Sequence, residues 1–173
     1  MSLAETPAGE PLPCRLRTQA TPADRNAVRS ILASTGFFYP GEIDIAVELV
    51  DEHLAKGDAS GYHFVFADSA AGDVLGYACY GQIPCTLASY DLYWIAVDQH
   101  HHSRGLGRML LDEVERQVKA AGGQQLYIET SNREQYQPTR HFYLRCGYQQ
   151  AALLADFYAP GDDKVIYAKR LVG

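Results

Sequence analysis

The sequence predicts an α/β domain in which a central mixed β-sheet is flanked by helices on both faces. Segments with the two-residue alternation of strands, or with short apolar runs, are interspersed with segments of helical period, in the order β-α-α-β-β-β-α-β-α-β-β. The chain has 173 residues and a hydrophobic fraction of 47%, which suits one globular domain with its own core. We place this domain at residues 14–173, after a disordered tail over residues 1–13 that is rich in Ala, Pro, Gly and Glu.

The first third of the chain predicts one strand and two helices. Residues 14–19 alternate in character, as a strand does. The first helix begins at Thr21 and Pro22, because threonine is favoured as an N-cap and proline in the first turn, and it ends near Gly36. The second helix covers residues 42–56, where apolar residues recur at helical spacing.

The remaining elements follow the same reasoning. They are strands at 62–67, 74–83 and 90–97, a helix at 105–121, a strand at 125–131, a short helix that includes residue 139, and strands at 151–158 and 164–171. The 90–97 segment is apolar on both faces, which predicts a strand in the centre of the sheet.

The net charge and the spacing of the cysteines argue against several classes of function. A net charge of −6 argues against nucleic acid or an anionic membrane as the main partner. No apolar run approaches the ~20 residues of a membrane span, and the N-terminus lacks the pattern of a secretory signal. The spacing of the four cysteines matches no zinc or redox motif. We therefore expect a cytoplasmic protein with reduced thiols and no metal.

A glycine-rich loop follows the central strand and is the most informative feature of the chain. Gly105 and Gly107 open an amphipathic helix, so main-chain N–H groups at its N-terminus can bind an anion, and Arg104 and Arg108 add positive charge. The loop lacks the Gly-Lys-Ser/Thr ending of a P-loop and, at Leu110, the third glycine of a dinucleotide fingerprint. It predicts a phosphate-binding site, and a glycine-rich turn without a ligand is the alternative.

Two motifs resemble the GNAT superfamily of acyl-CoA-dependent N-acyltransferases. Residues 102–107 read His-Ser-Arg-Gly-Leu-Gly, similar to the family's pyrophosphate loop of Gln or Arg, two residues, Gly, one residue, and Gly or Ala, except that His102 occupies the first position. Further on, Tyr143 with Gly147 and Tyr148 matches the family's Phe-Tyr, three residues, then Gly-Phe or Gly-Tyr. The motifs occur in the family's order, with a helix and a strand between them.

This resemblance implies a GNAT-like fold and transfer of an acetyl group from acetyl-CoA directly to a primary amine of a small molecule or peptide. It implies that the donor, acetyl-CoA, is bound without a metal by the following residues: Ile95, Ala96, Val97, His102, Ser103, Arg104, Gly105, Leu106, Gly107, Arg108, Tyr136 and Thr139. Of these, Tyr136 stands where the family usually has asparagine. The turn formed by residues 100–102 reads His-His-His, but adjacent residues of a turn rarely converge on one metal. The sequence is compatible with a homodimer.

Direct acyl transfer requires a deprotonated amine, a polarised thioester carbonyl and a protonated thiolate leaving group. In the family, the tyrosine at the position of Tyr143 protonates the thiolate. Asp91 lies six residues before Val97 and resembles the catalytic glutamate of the histone acetyltransferase members, so we predict it as the base. Glu129 on the neighbouring strand is a second candidate.

Strand periodicity makes a further prediction about Asp91. Side chains two residues apart point to the same side of a strand, so Asp91, Tyr93, Ile95 and Val97 should share one face. The alternatives for the catalytic pair are a packed aromatic at Tyr143 and a structural carboxylate at Asp91. If Tyr143 only packs and Asp91 is only structural, the protein would be an acyl-CoA-binding sensor or partner module without turnover. A nucleotide-binding protein is a weaker alternative.

Overall fold

The computed structural model describes residues 13–171, and of the predicted tail over residues 1–13 all but Pro13 lie outside them. The strands are β1 (Cys14–Arg17), β2 (His63–Ser69), β3 (Val74–Gln82), β4 (Ser89–Val97), β5 (Gln125–Ser131), β6 (Gln149–Ala159) and β7 (Asp162–Arg170). The α-helices are α1 (Asp24–Thr35), α2 (Pro40–Lys56), α3 (Leu106–Ala120) and α4 (Gln137–Arg145). Short 3-10 helices lie at Gly57–Ser60, Gln99–His101 and Glu134–Tyr136.

The strands form one mixed sheet in the order β1-β2-β3-β4-β5-β7-β6. Only β4 and β5 pair in parallel, and α3 supplies the crossover that a parallel pair requires. The predicted fold class is therefore confirmed, with β4 at the centre as its apolar character on both faces indicates. None of the helices described within residues 13–171 combines the length and apolarity that crossing a membrane requires.

Apolar clusters lie on both faces of the sheet. The cluster under α1 and α2 includes Val28 and Val50 together with Phe64 of β2, and we call this side the α1/α2 face. The cluster under α3 and α4 includes Leu110 and Tyr143, and we call this side the α3/α4 face. Both faces of the sheet are thus covered, as predicted.

The structure corrects the predicted starts of the first two helices. Helix α1 begins at Asp24 rather than at Thr21, because the buried Asp24 carboxylate accepts hydrogen bonds from the Thr21 N–H and hydroxyl and pairs with Arg17 at 2.6 Å. Helix α2 begins at Pro40, two residues before the predicted position, because the fixed φ of proline suits the first helical position.

Strand β4 contains one extra residue and separates from β5 halfway along its length. Tyr80 of β3 pairs with Leu92 and Cys79 pairs with Trp94, so Tyr93 between them forms a β-bulge. Pairing of β4 with β5 ends at Leu92. Residues 93–97 of β4 and residues 129–131 of β5 therefore border an opening in the middle of the sheet, which we call the strand cleft.

The bulge overturns the prediction that Asp91, Tyr93, Ile95 and Val97 share one face. The β4 residues that pack toward the α3/α4 face are Tyr90, Leu92, Ile95 and Val97. The bulge shifts the alternation by one residue, so even-numbered positions point to this face before Tyr93 and odd-numbered positions after it. Asp91 therefore lies on the α1/α2 face, opposite Ile95 and Val97.

A buried ion pair holds α3 and the end of α4 against the sheet. The Glu115 carboxylate on α3 is 7% exposed and accepts hydrogen bonds from Lys169 of β7 at 2.8 Å and from the Tyr148 hydroxyl at 3.0 Å. Lys169 also donates to the Cys146 carbonyl at 3.0 Å. The carboxylate thus joins three elements on the α3/α4 face.

We predict that Glu115→Ala lowers the free energy of unfolding by about 3 kcal/mol, because it leaves the largely buried Lys169 ammonium without its counter-charge. The matched control is Asp112→Ala on the same helix, which removes an exposed pair with Arg108 and should cost less than about 0.5 kcal/mol. Denaturant unfolding measures both, and equal costs would show that the Glu115 contacts add nothing beyond a surface pair.

Candidate active site

The glycine loop presents free main-chain donors at the N-terminus of α3. Gly105 precedes the helix with φ of +77°, a conformation that favours glycine, and no side chain caps the helix. The first helical hydrogen bond is donated by Met109 to the Gly105 carbonyl. The N–H groups of Leu106, Gly107 and Arg108 therefore have no acceptor in the helix, and the helix dipole adds partial positive charge beside them.

The residues before Gly105 keep the loop open to solvent. His102, Ser103 and Arg104 are all exposed, and Ser103 adopts a positive φ of 62°, which is uncommon for a residue other than glycine. Nε2 of His102 lies 2.8 Å from the Val97 carbonyl oxygen, which fixes the loop to the end of β4.

The side chains of His100 and His102 do not converge on one point where a metal could bind. His100 contacts the Asp98 carboxylate through its ring and its N–H, whereas the His102 ring is turned to Val97. Within residues 13–171, no group of three or more His, Cys, Asp or Glu side chains is arranged to hold a metal ion.

The β4 side of the strand cleft offers free main-chain groups as well. The Asp98 N–H donates to the Leu75 carbonyl of β3 at 2.9 Å. Because successive residues of a strand point their main-chain groups to opposite edges, Ala96 also faces β3, while Ile95 and Val97 face the cleft. Ile95 and Val97 can therefore bind an extended ligand, and Ala96, which we also predicted, is turned to its neighbouring strand.

Tyr143 lies on the α3/α4 face beside the glycine loop. It is 4% exposed and contacts the rings of Tyr148 and Tyr167 at centroid distances of 6.1 and 5.9 Å. Burial raises the pKa of its hydroxyl well above the ordinary tyrosine value, so the proton stays on at neutral pH.

Helix α4 itself is held against the start of α3. A Cβ atom on Gly107 would lie 3.5 Å from the ring of Phe142, the residue before Tyr143. Thr139, another predicted site residue, is half-buried in the first turns of the same helix. The start of α3 is therefore close to the part of α4 that carries Tyr143.

Asp91 lies on the other face of the sheet, beside a second carboxylate. Glu129 of β5 points to the same α1/α2 face and pairs with Lys164 of β7 at 2.6 Å. Burial, and secondly the charge of Glu129, raises the pKa of the Asp91 carboxyl above its ordinary value, while Lys164 acts in the opposite direction. Asp91 itself forms no ion pair in the described part of the chain.

Tyr136, predicted to contact the cofactor, lies among side chains of the α1–α2 loop and the β5–α4 loop. Its ring centroid is 5.7 Å from that of Phe37 and 5.4 Å from the Arg133 guanidinium. Arg140 fixes this segment by donating to the main-chain carbonyls of Ser131 and Arg133.

A wide bulge in β6 adds residues that the sequence analysis missed. Leu154 pairs with Lys164 and Ala159 pairs with Asp162, so residues 155–158 of β6 lie opposite a single residue of β7. Phe157 and Tyr158 protrude from this bulge, and the Lys164 ammonium lies 3.7 Å from the Phe157 ring centroid. The adjacent aromatic pair, which breaks the alternation expected of a strand, was the available signal.

Comparison with known proteins identifies the family of the chain. A model of the acetyltransferase (GNAT) family matches residues 27–148. The chain belongs to the GNAT family of acetyltransferases. A GNAT protein of known structure from Desulfovibrio desulfuricans, assigned as an acetyltransferase, is 52% identical, with a TM-score of 0.90 over 92% of this chain and 99% of that one.

More distant acetyltransferase structures share the fold alone. An aminoglycoside 6'-N-acetyltransferase complexed with coenzyme A is 18% identical, with a TM-score of 0.75 over 92% of this chain and 98% of that one. The ribosomal-protein-S18-alanine N-acetyltransferase from Escherichia coli is 18% identical, with a TM-score of 0.71 over 92% and 95% of the two chains. No curated protein sequence matches the chain at a significant level.

The charges around Asp91 predict that two substitutions shift its pKa in opposite directions. Lys164→Met should raise the Asp91 pKa further because it removes a nearby positive charge, and Glu129→Gln should lower it because it removes a nearby negative one. NMR titration of the Asp91 carboxyl carbon measures both shifts. Lys56→Met, which breaks an exposed pair with Glu52 on α2, is the control and should leave the value unchanged. Shifts of the same sign in the first two variants would contradict the arrangement.

Proposed function

We propose that the protein transfers an acetyl group from acetyl-CoA directly to a primary amine. The observation that carries this proposal is the strand cleft, which opens after Leu92 and extends to Val97 before the glycine loop. The assignment of roles is supported by the positions of Tyr143 and Asp91 on opposite faces of the sheet. A linear thioester in the cleft would be accessible from both faces. One residue can therefore deprotonate the acceptor amine while another protonates the thiolate leaving group.

The cofactor-binding part of the proposal rests on main-chain donors and the Arg104 side chain, because the Arg108 guanidinium is paired with Asp112 at 2.7 Å. The pyrophosphate would accept hydrogen bonds from the N–H groups of Leu106, Gly107 and Arg108, with Arg104 supplying further positive charge. The amides of the pantetheine arm would pair with Ile95 and Val97 in the cleft. Because His102 contacts the Val97 carbonyl, the ring would have to move if that carbonyl is used.

The catalytic part assigns one proton transfer to each face. Asp91, with its raised pKa, takes a proton from the substrate ammonium, directly or through one water. The amine nitrogen attacks the thioester carbonyl and forms the C–N bond. The C–S bond then breaks, the Tyr143 hydroxyl donates its proton to the departing CoA thiolate, and the nitrogen loses its second proton as the amide forms. That proton restores the Tyr143 hydroxyl, directly or through water, and Asp91 releases the first proton to solvent. The amine thus approaches from the α1/α2 face, while the thiolate is protonated from the α3/α4 face.

We predict that Gly105→Val abolishes CoA binding, because a branched side chain would occupy the space that a phosphate needs beside the main chain. CoA at a hundredfold excess over its dissociation constant should stabilise the wild-type protein by about 2.7 kcal/mol, and this thermal shift should disappear in the variant. Gly72→Val is the matched control: Gly72 also has positive φ and open space at its Cβ position, but it lies in the β2–β3 turn. Both variants should lose similar stability from strain, and only the first should lose CoA. Retained CoA affinity in Gly105→Val would contradict the loop assignment.

We predict that Tyr143→Phe preserves CoA binding and reduces turnover by about 10²–10⁴-fold, because the ring still packs while the proton donor is lost. CoA-thiol release on an accepted amine measures the rate. Wild-type turnover would return Tyr143 to a packing role, and a protein that binds acetyl-CoA without turning over any amine would be a binding module.

Asp91→Asn provides the complementary measurement. The acidic limb of the wild-type pH–rate profile should report the deprotonation of Asp91, so it should flatten in the variant while the rate falls. Superimposable profiles would show that another group or the solvent deprotonates the amine.

A further inference from the structure

Exposed aromatic rings surround the α1/α2 side of the site described above. Phe157 is 51% exposed, Tyr158 48% and Phe37 36%. Together with Tyr136, which packs against Phe37, they form what we call the aromatic rim. Soluble proteins seldom leave large apolar side chains exposed side by side, and such clusters mark binding surfaces.

The rim is assembled from three separate segments and lies beside the carboxylates. Phe37 comes from the α1–α2 loop, Tyr136 from the 3-10 helix before α4, and the other two rings from the β6 bulge. Burial raises the pKa of Tyr158 to about 12, with further contributions from the charges of Glu129, Asp162 and Glu42 and from Tyr136. Arg133 links the bulge to the other two segments, because its guanidinium lies 5.4 Å from the Tyr136 ring centroid and pairs at 3.1 Å with Asp162, the β7 partner of Ala159 at the end of the bulge.

Each rim element is fixed before any ligand arrives. The Lys164 ammonium lies under the Phe157 ring and is tied to Glu129. Arg133 lies over Tyr136 and pairs with Asp162 at 3.1 Å. Rings held in this way lose little conformational freedom on binding, which favours affinity for a ligand of matching shape.

The charge inside the rim is negative. Lys164 neutralises Glu129, and Arg133 neutralises Asp162. Asp91 and Glu42 have no ion-pair partner among residues 13–171; Glu42 only accepts the Tyr39 N–H. The nearby Arg140 donates to the main-chain carbonyls of Ser131 and Arg133, so all three cationic side chains have partners within the protein. The site therefore favours a cation at Asp91.

We propose that the acceptor is an arylalkylamine, a primary amine joined to an aromatic ring by a short alkyl chain, whose ammonium lies at Asp91 while its ring packs in the aromatic rim. This inference rests on the proposed acetyl transfer and specifies its acceptor. A polyhydroxylated polycation would bury polar groups against the rings, and two free carboxylates would leave most of its charges unpaired. An acidic acceptor would be repelled by Asp91 and Glu42.

The test compares the kcat/KM values of phenethylamine, propylamine, spermidine and kanamycin with acetyl-CoA. Burial of the phenyl ring should favour phenethylamine over propylamine by about 10- to 100-fold. Phe157→Ala and Tyr136→Ala should each reduce this ratio, because they remove ring contacts that propylamine does not make. Leu87→Ala, which truncates a fully exposed side chain in the β3–β4 turn, is the control and should leave the ratio unchanged.

The decisive quantity is the ratio of the kcat/KM values of phenethylamine and propylamine. A substitution at Phe157 that disturbs Lys164 and Asp91 would slow the acetylation of both amines alike and leave this ratio unchanged. A preference for spermidine or kanamycin, or a ratio that the rim variants do not move, would overturn the proposal. Should no amine release CoA, binding of phenethylamine and propylamine to the CoA-loaded protein is measured by calorimetry. Selective binding of phenethylamine that the rim variants abolish would then support the rim and contradict catalysis, and equal binding would overturn the rim as well.

Discussion

The site depends on one extra residue in the central strand. The bulge at Tyr93 ends the pairing of β4 with β5 and turns the second half of β4 over. Without it the two strands would pair along their full length, and the main-chain groups of Ile95 and Val97 would be used within the sheet. The same residue places Asp91 on the opposite face from Ile95 and Val97.

The bulge determines which side chains can act together. Tyr143 belongs to the packed cluster under α3 and α4, where burial keeps its hydroxyl protonated. Asp91 is half-buried on the more open face, where the negative charge of Glu129 opposes its ionisation. A direct hydrogen bond from the Tyr143 hydroxyl to the Asp91 carboxylate would occupy the proton donor and the proton acceptor with each other. The sheet between them keeps them apart, and in the proposed mechanism one substrate in the strand cleft contacts both.

Much of this fold could be predicted from the sequence, because helical period, alternation and turn residues are local signals. They correctly indicated the element order, the central position of β4 and the start of the helix after Gly105. The bulge at Tyr93 gave no such signal, because a strand that is apolar on both faces looks the same in either register. The start of α1 was displaced by Asp24, whose contacts with Arg17 arise only in the folded protein. The position of Tyr136 likewise depends on Phe37, which is remote in sequence.

An opening inside a sheet also has a consequence for solubility. Its two borders are strand edges, and unpaired edges can recruit extended segments of other molecules and start aggregation. Here the exposed β4 edge is short, and the His102 imidazole contacts the Val97 carbonyl, one of the acceptors that an intruding strand would need. Helix α4, held by Arg140 and by the contact of Phe142 with Gly107, further limits access from its side. The family usually has Gln or Arg at the loop position of His102. The histidine here thus protects the edge from unwanted strand pairing, at the place where we propose that the cofactor arm enters.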